Sequence, residues 1–178
     1  MDSPAAEHRA AAPRRIDCAV LTVSDTRTLE TDRGGKLLVE LLSAAGHTVA
    51  ARRILPDDPA ALQRLLVTWI ADPGIEAILL TGGTGVAPRD CTPEAVAPLL
   101  DKTLPGFGEL FRSLSFQEIG PAAMLSRATA GVAGTTLIFA LPGSPAGVRL
   151  ALERLILPEL GHLVGQANPQ AAEQSGEP

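Results

Sequence analysis

Residues 75–93 read IEAILLTGGTGVAPRDCTP and contain the signals that decide the fold. The apolar run at 75–81 is short and continuous, which is typical of a strand buried on both faces of a parallel sheet. A glycine-rich turn follows directly, and Thr92-Pro93 then has the composition of a helix start. The stretch therefore predicts a strand, a turn and a helix, the unit from which α/β folds are built.

The same alternation of strands and helices continues on both sides of this stretch. Apolar runs predict further strands at residues 18–23, 48–55 and 135–141. Helices are predicted at residues 35–45, 62–70, 92–100 and 144–164, with Pro158 as a point where the last can kink. Between residues 100 and 135 we predict a loop region rich in Gly and Phe. The expected fold is α/β, a three-layer arrangement with a mostly parallel open sheet and helices on both faces.

Composition narrows the classes of function. The chain has 178 residues, of which 46% are hydrophobic, and a formal net charge of −5. It has no basic stripe and few aromatic residues, which argues against nucleic-acid binding. No apolar run reaches the ~18 residues of a membrane span. We expect a cytoplasmic protein with one domain at residues 16–166 and disordered tails at 1–15 and 167–178.

Three predicted helices begin with an N-cap residue followed by proline: Asp58-Pro59, Thr92-Pro93 and Ser144-Pro145. Each follows a predicted strand, so all three starts belong to the carboxyl edge of the sheet, where α/β proteins bind ligands. Helix N-termini present free amides and a positive dipole end, which suit phosphate groups. One such pair alone is ordinary helix punctuation. Three near other polar residues predict a binding site.

The turn Gly82-Gly83-Thr84-Gly85 allows a ligand to approach the main chain closely. It is neither a P-loop, because no Gly-Lys-Ser/Thr follows, nor a dinucleotide fingerprint, because Pro88 replaces the third glycine. Two carboxylates accompany it. Asp90 precedes the helix that Thr92 is expected to cap, and Asp57 stands beside the Asp58 cap. We interpret Asp57 and Asp90 as ligands for Mg²⁺ bound to a nucleotide's phosphates.

Other polar residues are predicted at the same edge. Ser24, Asp25 and Thr26 follow the first strand, although their side chains can equally satisfy turn amides. Arg89 adds a cation before the third helix, and Arg127, next to Ser126, is a candidate anion clamp. Pro142, Gly143 and Ser144 form a rigid turn into the closing helix.

Together these segments resemble the MoaB/MogA family of molybdenum cofactor biosynthesis proteins, to which the adenylylating domain of gephyrin is related. A MoaB-type member fits best. The pieces occur in family order and span nearly everything between the tails. They are Leu21-Thr22-Val23-Ser24-Asp25-Thr26, Leu55-Pro56-Asp57-Asp58, Thr81-Gly82-Gly83-Thr84-Gly85, Pro88-Arg89-Asp90-Cys91-Thr92-Pro93-Glu94, Pro105-Gly106-Phe107-Gly108-Glu109, Leu125-Ser126-Arg127 and Leu141-Pro142-Gly143-Ser144-Pro145.

The resemblance implies that ATP and molybdopterin meet at the carboxyl edge of the sheet. AMP would pass to the terminal phosphate of the pterin with release of pyrophosphate. Asp57 and Asp90 would manage Mg²⁺ and the phosphate chain. The Gly82 to Gly85 turn would hold phosphate, and Ser126 with Arg127 would lie on the pterin side. The resemblance also implies a homotrimer or hexamer, and a molybdenum insertase is a candidate acceptor of the product.

Two alternatives stay open. The first is another enzyme of the same superfamily, such as the insertase or a nicotinamide-nucleotide-processing protein; the expectation of a stand-alone domain argues against it. The second is a non-catalytic molybdopterin-binding or scaffolding protein of the MoaB type. Retention of both Asp57 and Asp90 favours the enzyme.

Overall fold

A computed structural model describes residues 12–169. The strands are β1 Asp17–Val23, β2 Thr48–Leu55, β3 Ala77–Thr81, β4 Lys102–Thr103, β5 Thr129–Ala133 and β6 Thr136–Leu141. The helices are α1 Arg33–Ala44, α2 Pro59–Ile70, α3 Thr92–Val96, α4 Pro105–Ile119, α5 Pro145–Ala151 and α6 Leu160–Ala167. The six strands form one sheet in the order β2-β1-β3-β6-β5-β4.

The predicted three-layer architecture is confirmed. Strands β2, β1, β3 and β6 are parallel, whereas β5 pairs antiparallel with β6 and β4 antiparallel with β5. Successive β1 side chains alternate between two cores because a strand repeats every two residues. Cys18 and Val20 pack with α1, α4, α5 and α6, while Ala19 and Leu21 pack with α2 and α3. Because β2, β1, β3 and β6 are parallel, all connections from these strands into a helix lie at one edge of the sheet.

The prediction of a loop region between residues 100 and 135 is wrong. This stretch contains the 15-residue helix α4 and the two antiparallel strands β4 and β5. Phe107, Phe111 and Leu114 recur at helical spacing and pack on the core. One of the glycines that suggested a loop, Gly108, has a packing role, since a Cβ there would lie 2.6 Å from the Ala128 carbonyl oxygen.

The predicted closing helix of residues 144–164 is divided in the structure. Helix α5 ends at Ala151, a π-helical segment covers Leu152–Ile156, and α6 begins at Leu160. Pro158 lies between them, where it cannot donate a helical hydrogen bond. Within residues 12–169, no helix is long and apolar enough to cross a membrane.

Most residues of the predicted tails lie outside the described part of the chain, which excludes positions 1–11 and 170–178. In the part that is described, Pro13 is buried, and its carbonyl oxygen would lie 2.4 Å from a Cβ on Gly161. Arg15 donates a hydrogen bond to Thr48 Oγ1 at 2.7 Å. The contacts of the domain thus begin before residue 16, the predicted boundary.

Candidate active site

The carboxyl ends of β1, β3 and β6 form the floor of the site. Thr81 Oγ1 donates to the Pro142 carbonyl at 2.8 Å, and the Gly82 amide donates to Leu141 O at 3.0 Å. These bonds join the ends of β3 and β6, while Thr22 at the end of β1 donates to Asp32 Oδ2 at 2.8 Å. The threonines of the strand ends are therefore used to join neighbouring segments at the floor.

Asp32, which sequence reasoning missed, holds the start of α1 over this floor. Its Oδ1 accepts from the Gly35 amide at 2.8 Å, and its Oδ2 accepts from Arg52 Nη2 at 2.8 Å. The side chain of Asp32 is only 2% exposed, so its charge is compensated by Arg52 in the interior. The available signal was an Asp just ahead of a helical pattern, the usual position of an N-cap.

A crevice of about 370 Å³ opens between these strand ends and the start of α1. It carries three cationic side chains, Arg27, Arg33 and Arg89, together with hydroxyl groups. Its other lining residues are Thr22, Val23, Ser24, Thr26, Asp32, Gly34, Thr81, Gly82, Gly143 and Pro145. Arginines beside a helix N-terminus form an environment suited to phosphate. Arg27 and Arg33 were not among the predicted site residues.

The glycine turn after β3 has the conformation that its sequence requires. Gly82 and Gly83 have φ values of +104° and +64°. A Cβ on Gly83 would lie 2.8 Å from Asp57 Oδ1 and 2.4 Å from Thr92 Oγ1. Only glycine therefore allows the main chain to lie against these two side chains. Thr84, buried in the same turn, accepts a bond from the Arg127 amide through its carbonyl at 2.9 Å.

The prediction that Thr92 caps the third helix is wrong. Cys91 occupies the N-cap position without a side-chain cap bond, and Thr92 is the first helical residue. Thr92 Oγ1 donates instead to the Gly82 carbonyl at 2.8 Å, which ties the helix to the glycine turn. The other two predicted caps are confirmed, since Asp58 accepts from the Ala60 and Ala61 amides and Ser144 from the Gly147 amide.

Asp57 is placed in the way a ligand-binding carboxylate requires. Its Oδ1 is buried, and within residues 12–169 it has no hydrogen-bond partner. Burial raises the pKa of Asp57, and the neighbouring Asp25 and Asp90 raise it further, while Arg89 opposes them. Unpaired buried carboxylate oxygens are costly, so this one points to a partner that residues 12–169 do not provide.

The Asp90 carboxylate lies against the end of the glycine turn, since a Cβ on Gly85 would be 2.7 Å from Asp90 Oδ2, and it is partly engaged. Its Oδ2 accepts from the Ala87 amide at 2.8 Å, and its own amide donates to the Ala87 carbonyl at 2.9 Å. Among the described residues there is no group of three or more His, Cys, Asp or Glu arranged to hold a metal ion. Asp57 and Asp90 are the carboxylates of this region that could contribute to a cation site together with phosphate oxygens of a ligand.

Ser24 and Asp25 shape the loop that follows β1. Ser24 Oγ accepts from the amides of Thr26 and Arg27, both at 3.3 Å. Asp25 Oδ1 accepts from the Asp57 amide at 3.2 Å, and Asp25 Oδ2 lies 3.9 Å from Arg89 Nη1. Asp25 thereby links Asp57 to Arg89, which lines the crevice.

Ser126 and Arg127 lie at a second groove, of about 520 Å³, which they line together with Arg112, Glu109 and Met124. Ser126 Oγ accepts from the Ala128 amide at 3.3 Å. The Arg127 guanidinium is directed at the protein: it bonds to the carbonyls of Gly85 and Asp90 and forms an ion pair with Glu94. Arg127 thus connects this groove to the glycine turn, whereas Gly82 of that turn lines the crevice; Asp57 and Asp90 are in the lining of neither cavity.

The fold and this site define a class of protein. Residues 19–162 match the family described as "Probable molybdopterin binding domain". The chain therefore belongs to the MoaB/MogA family of molybdenum cofactor biosynthesis proteins, and the resemblance inferred from the motifs is confirmed.

Individual relatives sharpen this assignment. The chain is 54% identical over 159 residues to molybdenum cofactor biosynthesis protein B of Bacillus subtilis, covering 89% of this chain and 94% of that protein. It is 41% identical to the molybdopterin biosynthesis enzyme MoaB of Thermus thermophilus, with a TM-score of 0.78 over 87% of this chain and 98% of that one. The tungsten cofactor synthesizing protein MoaB of Pyrococcus furiosus is 39% identical, with a TM-score of 0.78 over 88% of this chain and 99% of that one.

Proposed function

We propose that this protein is a molybdopterin adenylyltransferase that uses Mg-ATP. A terminal phosphate oxygen of molybdopterin attacks the α-phosphorus of ATP. The new bond joins that oxygen to phosphorus, and the bond between the α-phosphorus and the bridging oxygen breaks to release pyrophosphate. The product is adenylyl-molybdopterin.

The observation that carries this proposal is the unpartnered, buried Oδ1 of Asp57 against the glycine turn. Asp90 lies close enough to raise the pKa of Asp57, so two carboxylates share one small region. Their oxygens are ligands that Mg²⁺ prefers, and phosphate oxygens commonly complete such sites. Mg²⁺ held by Asp57 and Asp90 would neutralise charge on the triphosphate.

The arginine-lined crevice is the proposed site of the triphosphate. Arg27, Arg33 and Arg89 supply positive charge locally in a chain whose formal net charge is −5. The start of α1 adds its dipole, and the main chain of the glycine turn can approach the phosphates without a Cβ in the way. These groups would align the α-phosphorus and stabilise charge that develops on the leaving pyrophosphate.

The second groove, at Ser126, is the proposed site of the pterin. Its volume of about 520 Å³ falls within the range of small-molecule sites. Arg127 lines this groove and bonds to the Gly85 and Asp90 carbonyls, so a phosphate beside Arg127 would lie near the loop that carries Asp90. Because the attacking phosphate is already an anion, no activated serine or histidine is required, and positioning supplies most of the catalysis.

The test is incubation with Mg-ATP and molybdopterin, followed by detection of the adenylylated pterin and of pyrophosphate. Both should form in equal amounts, and both should be lost when Mg²⁺ is chelated. Asp57→Asn is the matched control, since it keeps the size of the side chain and removes its charge. Molybdopterin binding without either product would contradict the proposal.

A second candidate function is molybdopterin binding without transfer. The observation that favours it is the bond between Asp90 Oδ2 and the Ala87 amide, which uses one carboxylate oxygen for the loop. The same assay separates the two functions, because a binding protein gives a stable pterin complex and consumes no ATP.

Assembly is a further part of the proposal. Leu110, Phe116, Ile119, Met124 and Leu125 are more than half exposed and lie on or just after α4. Such a concentration of exposed apolar side chains suits an interface between copies of the chain in a homotrimer or hexamer. Light scattering that shows only monomer at micromolar concentration would contradict this assembly. A molybdenum insertase is the proposed recipient of the product.

A further inference from the structure

Arg127 makes more contacts with the loop between Gly85 and Asp90 than its sequence context indicates. Its Nε donates to the Gly85 carbonyl at 2.7 Å, and its Nη2 donates to the Asp90 carbonyl at 3.0 Å. Its Nη1 forms an ion pair with Glu94 in α3. One guanidinium therefore holds both ends of the loop and the helix that follows.

The main chain of Arg127 adds a fourth connection, because its amide donates to the Thr84 carbonyl at 2.9 Å. The loop is closed internally by the bonds between Ala87 and Asp90. Three of the four anchoring acceptors are main-chain carbonyls, so the contacts fix the path of the backbone whatever side chains the loop carries. A planar guanidinium can serve three acceptors in fixed directions, which an ammonium group cannot do.

The charge of Arg127 is also compensated within the protein. Glu94 pairs with it, and the hydrogen bond from Arg127 lowers the pKa of Glu94, which keeps that carboxylate ionised. An anion clamp would direct its guanidinium toward an open cavity. Here the donors are directed at the glycine turn and α3, although the side chain borders the groove at Ser126.

We infer that Arg127 is a positioning residue that fixes the Gly85–Asp90 loop and so holds the Asp90 carboxylate against Gly85, in the same glycine turn that contacts Asp57 through Gly83. The catalytic consequence of this arrangement rests on the proposed function. The structural consequence does not, because the loop contacts exist in the free protein.

The experiment compares Arg127→Gln and Arg127→Lys with a matched control, Arg149→Gln. Arg149 forms an exposed ion pair with Glu153, at 2.6 Å, and lines neither the crevice nor the groove at Ser126. Hydrogen exchange at the amides of Ala87 and Asp90 reports the order of the loop. In Arg127→Gln these amides should exchange about tenfold faster or more, since local opening limits their exchange. In Arg149→Gln they should be unchanged.

Adenylyl transfer supplies the second readout. Arg127→Gln should lower kcat about tenfold and raise the Mg²⁺ concentration for half-maximal rate about threefold or more, because Asp90 is displaced. The Kd for molybdopterin should stay within about twofold of wild type. In Arg127→Lys the kcat and the Mg²⁺ dependence should lie between those of wild type and of Arg127→Gln. If Arg127→Gln does not fold, Arg127→Lys replaces it in every comparison.

Unchanged exchange at Ala87 and Asp90 in the Arg127 variants would overturn the inference. So would a large loss of molybdopterin affinity with a protected loop, since Arg127 would then contact the ligand. If the wild-type protein transfers no adenylyl group, the proposed function fails. In that case the exchange measurement alone decides whether Arg127 positions the loop.

Discussion

The two carboxylates of the proposed site are supported in different ways. Asp57 lies in a short connection, where β2 ends at Leu55 and α2 begins at Pro59 under the Asp58 cap. Asp90 lies in the ten-residue connection between β3 and α3, which begins with the glycine turn. Secondary structure fixes the first position. The second depends on side-chain contacts from elsewhere in the chain, chiefly those of Arg127.

This difference teaches which parts of the site tolerate change. A carboxylate carried by the joint between a strand and a helix moves only if the sheet moves. A carboxylate carried by a loop can be displaced by a distant substitution without unfolding. Two residues with the same proposed chemical role should therefore respond differently to mutations around them.

The largest expected effect is the loss of either carboxylate. Asp57→Ala and Asp90→Ala should each reduce adenylyl transfer about a hundredfold or more, the scale seen when one electrostatic group is removed from a preorganised site. Molybdopterin affinity should be retained. The measurement is product formation and pterin Kd on the same samples, with the melting temperature as a control for folding.

If the carboxylates act as one unit, the double variant should cost far less than the two single losses combined. The stability of the two variants sharpens the comparison. Asp57→Ala removes a buried oxygen without a partner and should not lower the melting temperature. Asp90→Ala removes the acceptor for the Ala87 amide. Full activity in both single variants would show that the site is assigned to the wrong residues.

A smaller effect separates the two roles of Asp90. In Asp90→Asn the side-chain oxygen can still accept from the Ala87 amide, so the loop should keep its protection from hydrogen exchange. The charge is lost, and transfer should fall about tenfold or more. Asp90→Ala should lose both charge and loop protection. Equal exchange rates in the two variants would mean that the bond to Ala87 does not hold the loop.

Sequence reasoning succeeded where the local pattern and the fold agree. The predicted bounds of strand β2 agree with the observed ones. Helix α2 is predictable because the Asp58 cap and the spacing of the apolar residues after it indicate the same helix. The fold class follows from this alternation. The prediction from sequence is wrong for α4, where Gly106 and Gly108 suggest a loop while Phe107 and Phe111 have helical spacing.

The remaining failures have tertiary causes. Strand β5 reads TAGVA, a sequence with little intrinsic β preference, and it forms because it pairs with β6. The function of Asp32 depends on Arg52, which is distant in sequence. The contacts of Arg127 are also long-range, so the sequence could show a cation near the site but not what it bonds to.

The pH dependence of the rate tests whether Asp57 acts as a carboxylate. Burial and two neighbouring carboxylates raise the pKa of Asp57 above its ordinary value of 3.8. At limiting Mg²⁺, where the rate reports the titration of the metal-free protein, transfer should therefore rise with pH on an acidic limb displaced upward, as Asp57 ionises. In Asp57→Asn this limb should vanish from the residual activity. A limb that is unchanged in the variant would mean that another group titrates.

The ionisation of Asp57 that should raise the rate should lower the stability of the wild-type protein relative to Asp57→Asn. A folded-state pKa above the unfolded value means that the contribution of Asp57 to stability is present below the unfolded pKa and is lost as pH rises through the folded pKa. The melting temperature of Asp57→Asn relative to wild type should thus increase across this window and then level off. Thermal melts from acid to neutral pH provide the measurement.

The smallest expected effect is that of Glu94→Gln. Glu94 anchors the outer side of Arg127, and its side chain is 56% exposed, so solvent screens the pair and its energetic contribution is small. Glutamine keeps an acceptor oxygen, and the bonds from Arg127 to Gly85 and Asp90 remain. We expect transfer to fall less than about threefold, with loop exchange nearly unchanged.

Because the folded-state pKa of Glu94 is lowered, its stabilising contribution is present above the unfolded pKa and is lost as pH falls through the folded one. The difference between Glu94→Gln and wild type should accordingly disappear in acid and shrink in 1 M salt. A loss as large as that of Arg127→Gln would show that the ion pair, rather than the two carbonyl bonds, holds the loop.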